Sequence, residues 1–450
     1  MDAPAPVPAL DPAFHAPSLH PSSPDAPLAA LRAAVPPDGL FAGKSWRFSP
    51  QPFHLSAPLL DSLRQLGDRL WLFQKACNDL YALSASGRQP AWIAELLDLG
   101  KPPELIAFSR QKCFRHDLPR VLRPDLILTP EGFVVSELDS IPGGIGLTAW
   151  LTETYAKQGF RTVGSAAAIE QHFAALAPGG DILVSREAET YRPEMEWLAA
   201  RTGQRVCDAE GYASRPDVRA HAYRFFELFD LPNIPGIPAL QEATLGGALA
   251  LTPPFKPQLE EKLWFALFWL RPLRDFWRRA LGDKIVHALQ RVLPRTWVLD
   301  PQPLPPHAEV PELGIHSFEE LEGFSQKERE LVIKASGFSE RAWGARSVVI
   351  GSDQPQGVWS DAVRQALAHF GTSPHILQRF HKARVFGHNV YEASSGEVLP
   401  FPCKVRLCPY YFVTGDKPEL CGALATLCPP DKKILHGMSD AVLLPAALPA

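Results

Sequence analysis

Two short charged motifs on apolar runs do most to limit what this chain can fold into. Arg123-x-Asp125 lies within residues 121–128, and Glu137-x-Asp139 overlaps the end of residues 133–138. Between them stands Thr129-Pro130-Glu131-Gly132, in which Pro sets one φ and Gly permits a positive one. The pattern predicts a β-hairpin. Residues two apart on a strand share a face, so each strand sets two charged groups side by side. With Asp125 in even register with Glu137, three carboxylates and one guanidinium occupy one face, and a bulge near Gly132 is one way to set that register. Such carboxylates repel one another unless neutralised, and Mg²⁺ is the usual agent at phosphate sites. The plain alternative is a solvated, charged hairpin.

The rest of the pattern alternates strands and helices. Residues 59–83, 91–99 and 147–158 read as helices, the last after a Gly-rich bend at 141–146. Strand-like runs at 181–185, 204–208 and 222–226, with a helix at 192–201, imply a small parallel sheet. Residues 258–292 read as helical with a break near Pro272. Later strands are expected at 330–334, 347–350 and 375–380, with a helix at 359–370. A final hairpin, 404–414 with 421–426, turns at Thr414-Gly415-Asp416.

Composition removes several classes. At 46% hydrophobic and 21% charged, the chain is globular, and 450 residues allow two or three packed units. Lys+Arg number 45 against 49 Asp+Glu, so no positive excess is available for nucleic acid or an anionic membrane. The greasiest stretch, residues 263–270, is far short of the roughly 20 residues of a membrane span and reads as core helix. No signal-peptide pattern opens the chain, and seven cysteines is an odd count, so a reducing cytoplasmic location is expected. Cys403, Cys408, Cys421 and Cys428 lie close together but lack a C-x-x-C knuckle, which favours buried thiols over zinc. Gly43-Lys44-Ser45 lacks P-loop spacing, and no G-x-S-x-G occurs.

One further segment suits phosphate chemistry, and three other residues are of interest. Lys334 ends an apolar strand and leads into a loop holding Ser336, Gly337 and Gly344, which suits a phosphate cradle of backbone N–H groups and one point charge. Gln378 sits on a strand able to wall a flat base. Lys284, in Gly282-Asp283-Lys284, and Arg406 are additional cations.

Taken in order, these pieces resemble the circularly permuted ATP-grasp fold, as in the synthetase domain of glutathionylspermidine synthase. Arg123-x-Asp125 and Glu137-x-Asp139 are similar to that family's R-x-D … E-x-N. Lys284 and Leu293-Pro294-Arg295-Thr296-Trp297 resemble its N-K and LP-x-x-W segments, and residues 334–344 its nucleotide lid. Gln378, Arg406 and Arg224-x-x-Glu227 also fall in order. Departures are Asp139 for Asn, Ala335 for the usual Pro, wider glycine spacing in the lid, and no preceding amidase domain.

The resemblance implies an α/β (α+β) chain: a circularly permuted ATP-grasp with a small Rossmann-like subdomain. Its division would be a flexible Pro/Ala-rich tail (1–40), helices with the metal hairpin (41–165) and the Rossmann-like subdomain (166–245). A helical segment and linker (246–312), the nucleotide lid (313–385) and the C-terminal core (386–450) would follow. It implies an ATP- and Mg²⁺-dependent ligase forming an amide or thioester through an acyl-phosphate, acting on a small-molecule carboxylate and an amine or thiol. Asp125, Glu137 and Asp139 would hold Mg²⁺; Lys284, Lys334, Ser336, Gly337, Gly344 and Gln378 the nucleotide; Arg123 and Arg406 would stabilise the transferred phosphate. Residues 110–140 should then pack against 400–445, and residues 143–146 and 185–191 should face substrate. A non-catalytic nucleotide- or metabolite-binding protein, and a scaffold with a solvated hairpin, stand as alternatives.

Overall fold

The computed structural model describes residues 25–35, 40, 47–212, 215–342, 346–392, 394–437 and 440–449. Helices and three sheets make a mixed α/β molecule. In the largest sheet Val121–Thr129 pairs antiparallel with Gly132–Asp139 on one side and with Glu397–Thr414 on the other. The early hairpin and the C-terminal strands thus share one sheet. Lys417–Cys428, Val442–Ala447 and Phe53–His54 extend it in that order, and Val385–Glu392 also pairs with Glu397–Thr414.

Strands 385–392 and 442–447 carry no expectation above, and Glu397–Thr414 is longer than the run expected at 404–414. Prolines disguise two of them, Pro400, Pro402 and Pro409 in Glu397–Thr414 and Pro445 in Val442–Ala447, because a proline cannot donate to the ladder. Pro124 and Pro409 lie inside the central pair, whose pairing breaks between Arg406–Leu407 and Tyr411–Phe412.

Period-two alternation divides the two faces of this sheet. Arg123, Asp125, Arg406, Cys408, Leu424 and Thr426 face a cleft. The opposite face packs on the helix Ala57–Ala85, which starts where Ser56 Oγ accepts from the Leu59 N–H (3.4 Å) with Pro58 in the first turn. Its buried stripe includes Leu63, Leu66, Leu70 and Phe73. Gly67 is where the sheet touches: a Cβ there would lie 2.6 Å from Tyr411 Cδ1, while the Tyr411 hydroxyl donates to the Leu63 carbonyl at 2.6 Å.

The second sheet is antiparallel, in the order Val349–Ile350, Leu331–Ala335, His375–Arg379, Thr296–Val298. Leu331, Ile333 and Leu377 pack with Trp359 and Val363 of the helix Gln356–Ala368, while Val332, Lys334 and Gln378 face the cleft. The third sheet is parallel: Arg205–Asp208, Asp181–Val184, His221–Phe225, Ala250–Thr252. Helix Arg192–Thr202 crosses between its first two strands in sequence. Buried Asp181 anchors it, accepting from Arg205 Nε (2.8 Å) and the Tyr212 hydroxyl (2.9 Å).

Two expectations change. Asp25–Ala34, within the stretch read as a flexible tail, is a helix whose Leu28 and Leu31 are buried; residues 1–24 lie outside the described residues. Residues 258–292 form three short helices, Leu263–Trp269, Arg274–Leu281 and Asp283–Gln290, with the first break at Pro272. The first is buried core, and no helix among the described residues is long and apolar enough to cross a membrane.

Candidate functional site

The three sheets meet around a cleft of about 1080 Å³. One wall is the charged face of the large sheet. A second is the Lys334/Gln378 face of the antiparallel sheet. The third is the carboxyl end of the parallel sheet, with Ser185, Glu187, Phe226 and Glu227, which is where open parallel sheets bind ligands. Residues 143–144 and Tyr191 also line it.

The hairpin register places Arg123 opposite Asp139 and Asp125 opposite Glu137. The tight turn alone would not do this, because Thr129 faces Gly132 and Leu126 faces Val135, a register that would set Ser136 against Asp125. The irregularity between Asp125 and Leu126 takes up Ser136 as an extra residue and turns Glu137 and Asp139 onto the cleft face. The bulge therefore sits at Ser136, not near Gly132. It also gives the site a ligand: the Ser136 carbonyl accepts from Lys334 Nζ at 3.0 Å.

The charged groups interlock. Arg123 donates to Asp125 (3.0 Å), to Asp139 (2.8 Å) and to the Gly143 carbonyl (3.0 Å). Arg406 reaches the other Asp125 oxygen at 3.1 Å, and the Cys408 thiol approaches Asp125 at 3.4 Å. Burial pushes the Asp125 carboxyl up, but the two guanidinium groups and the thiol outweigh it and hold it below the usual range. Asp139 is raised, by burial and by neighbouring Glu137, against the pull of Arg123. Burial, with Asp125 alongside, pushes the Cys408 thiol up to about 12, so it is a proton donor rather than a thiolate.

Glu137 pairs instead with Lys262 at 2.7 Å. Lys334 lies between the Ser136 carbonyl and Gln378 Oε1 (2.9 Å), and burial lowers it to about 8. Glu227 is raised well above the usual range by burial and by Glu260 and Asp139. Arg406 Nε, Thr426 Oγ1 and His381 Nε2 are buried in the cleft wall without a hydrogen-bond partner among the described residues. Unpaired buried donors of this kind mark a place for a ligand.

The cleft thus brings together Arg123, Asp125, Glu137, Asp139, Lys334, Gln378 and Arg406. It does not take in Lys284, which is exposed on helix Asp283–Gln290. The lysine beside the carboxylates is Lys262, which closes a Glu260-Glu261-Lys262 run just ahead of a wholly apolar helix. That juxtaposition is the sequence signal for it. Ser336 is not open to a nucleotide either. Its buried hydroxyl binds Glu261 and accepts from the Leu263 N–H (2.8 Å), and Glu261 also pairs with buried Lys101. Gly337 closes this contact, since a Cβ there would lie 2.7 Å from the Glu261 carboxyl carbon. Gly344 lies outside the described residues. Arg224 is fully buried and paired with Glu260, so of the two charged residues of Arg224-x-x-Glu227 only Glu227 lines the cleft.

As a metal site the three carboxylates are incomplete. Among the described residues they are not a group whose donor oxygens all lie within 4.8 Å of one another. Asp125 has both oxygens committed to arginines, and Asp139 accepts from Arg123 on one oxygen and from the Ile141 N–H on the other; Glu137, paired to Lys262 through one oxygen, and Asp139, with side chains 38% and 25% exposed, are the more accessible oxygen donors for a divalent cation carried by a phosphate chain.

No protein-family model matches the chain, and no curated protein sequence does. Solved structures do. One is a glutathione synthetase-like effector (GSS30) from Globodera pallida in apo form, at 12% identity over 94% of this chain and 95% of that one, TM-score 0.55. Another is a candidate gamma-glutamylcysteine synthetase from Methylobacillus flagellatus KT, at 13% identity over 86% of this chain and 87% of that one; its TM-score of 0.39 is too low to relate the two folds. The chain therefore shares its overall fold, nearly end to end, with a synthetase-like protein.

Proposed function

We propose that the chain is an ATP- and Mg²⁺-dependent ligase of circularly permuted ATP-grasp design, joining a small-molecule carboxylate to an amine or thiol through an acyl-phosphate. One observation carries this reading. Seven chemistry-bearing side chains, from Arg123 to Arg406, come from two sheets onto a single cleft edged by the carboxyl ends of a third. The fold shared with a synthetase-like protein supports it.

In this reading Lys334 and Lys262 hold the phosphate chain as point charges. Gln378 is set by its bond to Lys334 and faces the base. Glu137 and Asp139 would hold Mg²⁺, which when bound offsets charge on the phosphates. Arg123 and Arg406, fixed by Asp125, stabilise charge on the transferred phosphoryl group, and the unpartnered Arg406 Nε is the donor aimed at it. Glu227, its carboxyl raised well above the usual range by burial and by Glu260 and Asp139, would in its ionised form take the proton that the attacking acceptor loses.

A second reading, a nucleotide- or metabolite-binding protein without turnover, has its own observation. Asp125, Arg123, Asp139 and Arg406 neutralise one another through direct ion pairs.

The test is the melting temperature with Mg²⁺ and a non-hydrolysable ATP analogue, for wild type and Glu137→Ala. Ligand at a hundredfold over its Kd should add about 2.7 kcal/mol. An upward shift in wild type, reduced in the variant, is expected. Phosphate release should then appear with some pairing of acid and amine or thiol. A shift with no ADP formed from any acceptor selects the second reading; no shift at all over a wide range of analogue concentration overturns the ligase and the nucleotide-binding form of the second reading.

A further inference from the structure

Away from the cleft, one group of side chains has the composition and spacing of a transition-metal site. His172 lies on the helix Ala166–Leu176; Glu419 and Cys421 lie on the strand Lys417–Cys428. A donor atom from each, ring nitrogen, carboxylate oxygen and thiol sulfur, lies within 4.8 Å of the other two. The His172 Nε2 to Glu419 Oε2 separation is 3.4 Å. Ligands around a tetrahedral zinc, at bonds of about 2.0–2.3 Å, stand roughly 3.3–3.8 Å apart. The imidazole and carboxylate donors are at that spacing already, and the thiol sulfur lies within 4.8 Å of both.

Two independent features aim them. The strand pairing jumps from Tyr410–Gly422 to Tyr411–Leu420, so Cys421 is the extra residue of a bulge, and bulges re-aim side chains. On the helix side, His172 Nδ1 is bonded to Thr414 Oγ1 at 3.0 Å, and its ring lies 6.2 Å from that of Phe412. With Nδ1 occupied by a hydroxyl, Nε2 is left facing the carboxylate, the arrangement in which a second partner orients a ligating imidazole. Glu419 is exposed and Cys421 buried, so the group opens to solvent on one side.

We propose that His172, Glu419 and Cys421 bind a zinc-class divalent cation, with solvent in the fourth position. Binding forms bonds from Nε2, a carboxylate oxygen and Sγ to the metal, and the thiol proton leaves to solvent. The imidazole and thiolate select zinc or cobalt over magnesium. The ion ties helix 166–176 to the end of the hairpin that runs into the cleft wall at Leu424 and Thr426.

The test uses the full chain, stripped with chelator and titrated with Zn²⁺ alone against a chromophoric competitor, and with Co²⁺ followed by its thiolate charge-transfer band. One Zn²⁺ per chain and a Co²⁺–thiolate band are expected. Cys421→Ser should abolish the band, His172→Gln and Glu419→Gln should each weaken Zn²⁺ binding, and Thr414→Val should weaken it about tenfold. Cys113→Ser, which removes the exposed thiol, and Glu137→Ala, in the cleft, should change neither readout. Because Cys421 is buried and its substitution risks the fold, the partly exposed His172 and Glu419 variants decide independently. No binding by wild type, or binding unaltered in both of them, overturns the proposal.

Discussion

At the scale of single residues, the cleft works through buried charge. Lys334 keeps its ammonium in a dry site at a cost, and its value falls from 10.5 to about 8. Its charge, the part of it a phosphate would meet, is present below that value and lost as pH rises through it. We therefore expect the affinity for the ATP analogue to fall as pH rises through about 8, and Lys334→Met to bind weakly with that step absent; affinity against pH measures both. Asp125 has the opposite task, holding two guanidinium groups that would otherwise be buried unpaired. Breaking a buried pair by removing one partner costs about 3 kcal/mol or more. Asp125→Asn should lower the unfolding free energy from urea melts by that order, while Glu137→Gln, on a more exposed carboxylate, should lower it far less.

At the scale of elements, the helix Ala57–Ala85 and the central strand approach through Gly67. Helix propensity alone says Gly→Ala should stabilise by about 1 kcal/mol. The Tyr411 ring, 2.6 Å from the added carbon and held by its bond to Leu63, reverses the sign. Gly67→Ala should destabilise by about 1–3 kcal/mol, the range for overpacked cores, read from denaturant melts. The hairpin 121–139 shows how much of an element is legible in advance. Its strands and turn follow from alternation and from Pro130-Glu131-Gly132. Its bulge is not visible there, because Ser136 has no intrinsic preference for an extra position; Lys334, from another sheet, takes its carbonyl. Likewise the prolines that hide strands 397–414 and 442–447 are tolerated only where a neighbouring strand asks for no N–H.

At the scale of the molecule, stability should depend on acid through two buried histidines. His375 and His388 are each lowered from 6.5 to about 4, mainly by burial. His388 is bonded to Ser49 at 2.9 Å and His375 to the Ser373 carbonyl at 2.7 Å. Between pH 6.5 and 4 the unfolded chain takes up protons that the folded one refuses, so stability is full above 6.5 and falls as pH drops toward 4. The loss should be of order 2 kcal/mol per histidine by pH 4, and His388→Gln should remove its share; urea midpoints across that range check it. The same burial logic explains the misplaced lysine. Lys284 was singled out by its neighbours in sequence, yet it lies on a helix whose exposed face takes it into solvent.

Local alternation, turn chemistry and charge spacing, all properties of a few consecutive residues, were enough to predict the hairpin, most strands and helices, and five of the cleft residues, Arg123, Asp125, Glu137, Asp139 and Lys334; Gln378 and Arg406 entered through the resemblance to the ATP-grasp fold. Which of those charges meet was decided only by tertiary structure. Three sheets from separated stretches must close on one another before Lys262 faces Glu137, Ser336 is consumed by Glu261, and Cys421 turns toward His172. Electrostatic and hydrogen-bond partners at such sequence distances are fixed by packing, because burial makes an unpaired polar group too costly to leave and the available partner is whichever one the fold brings near.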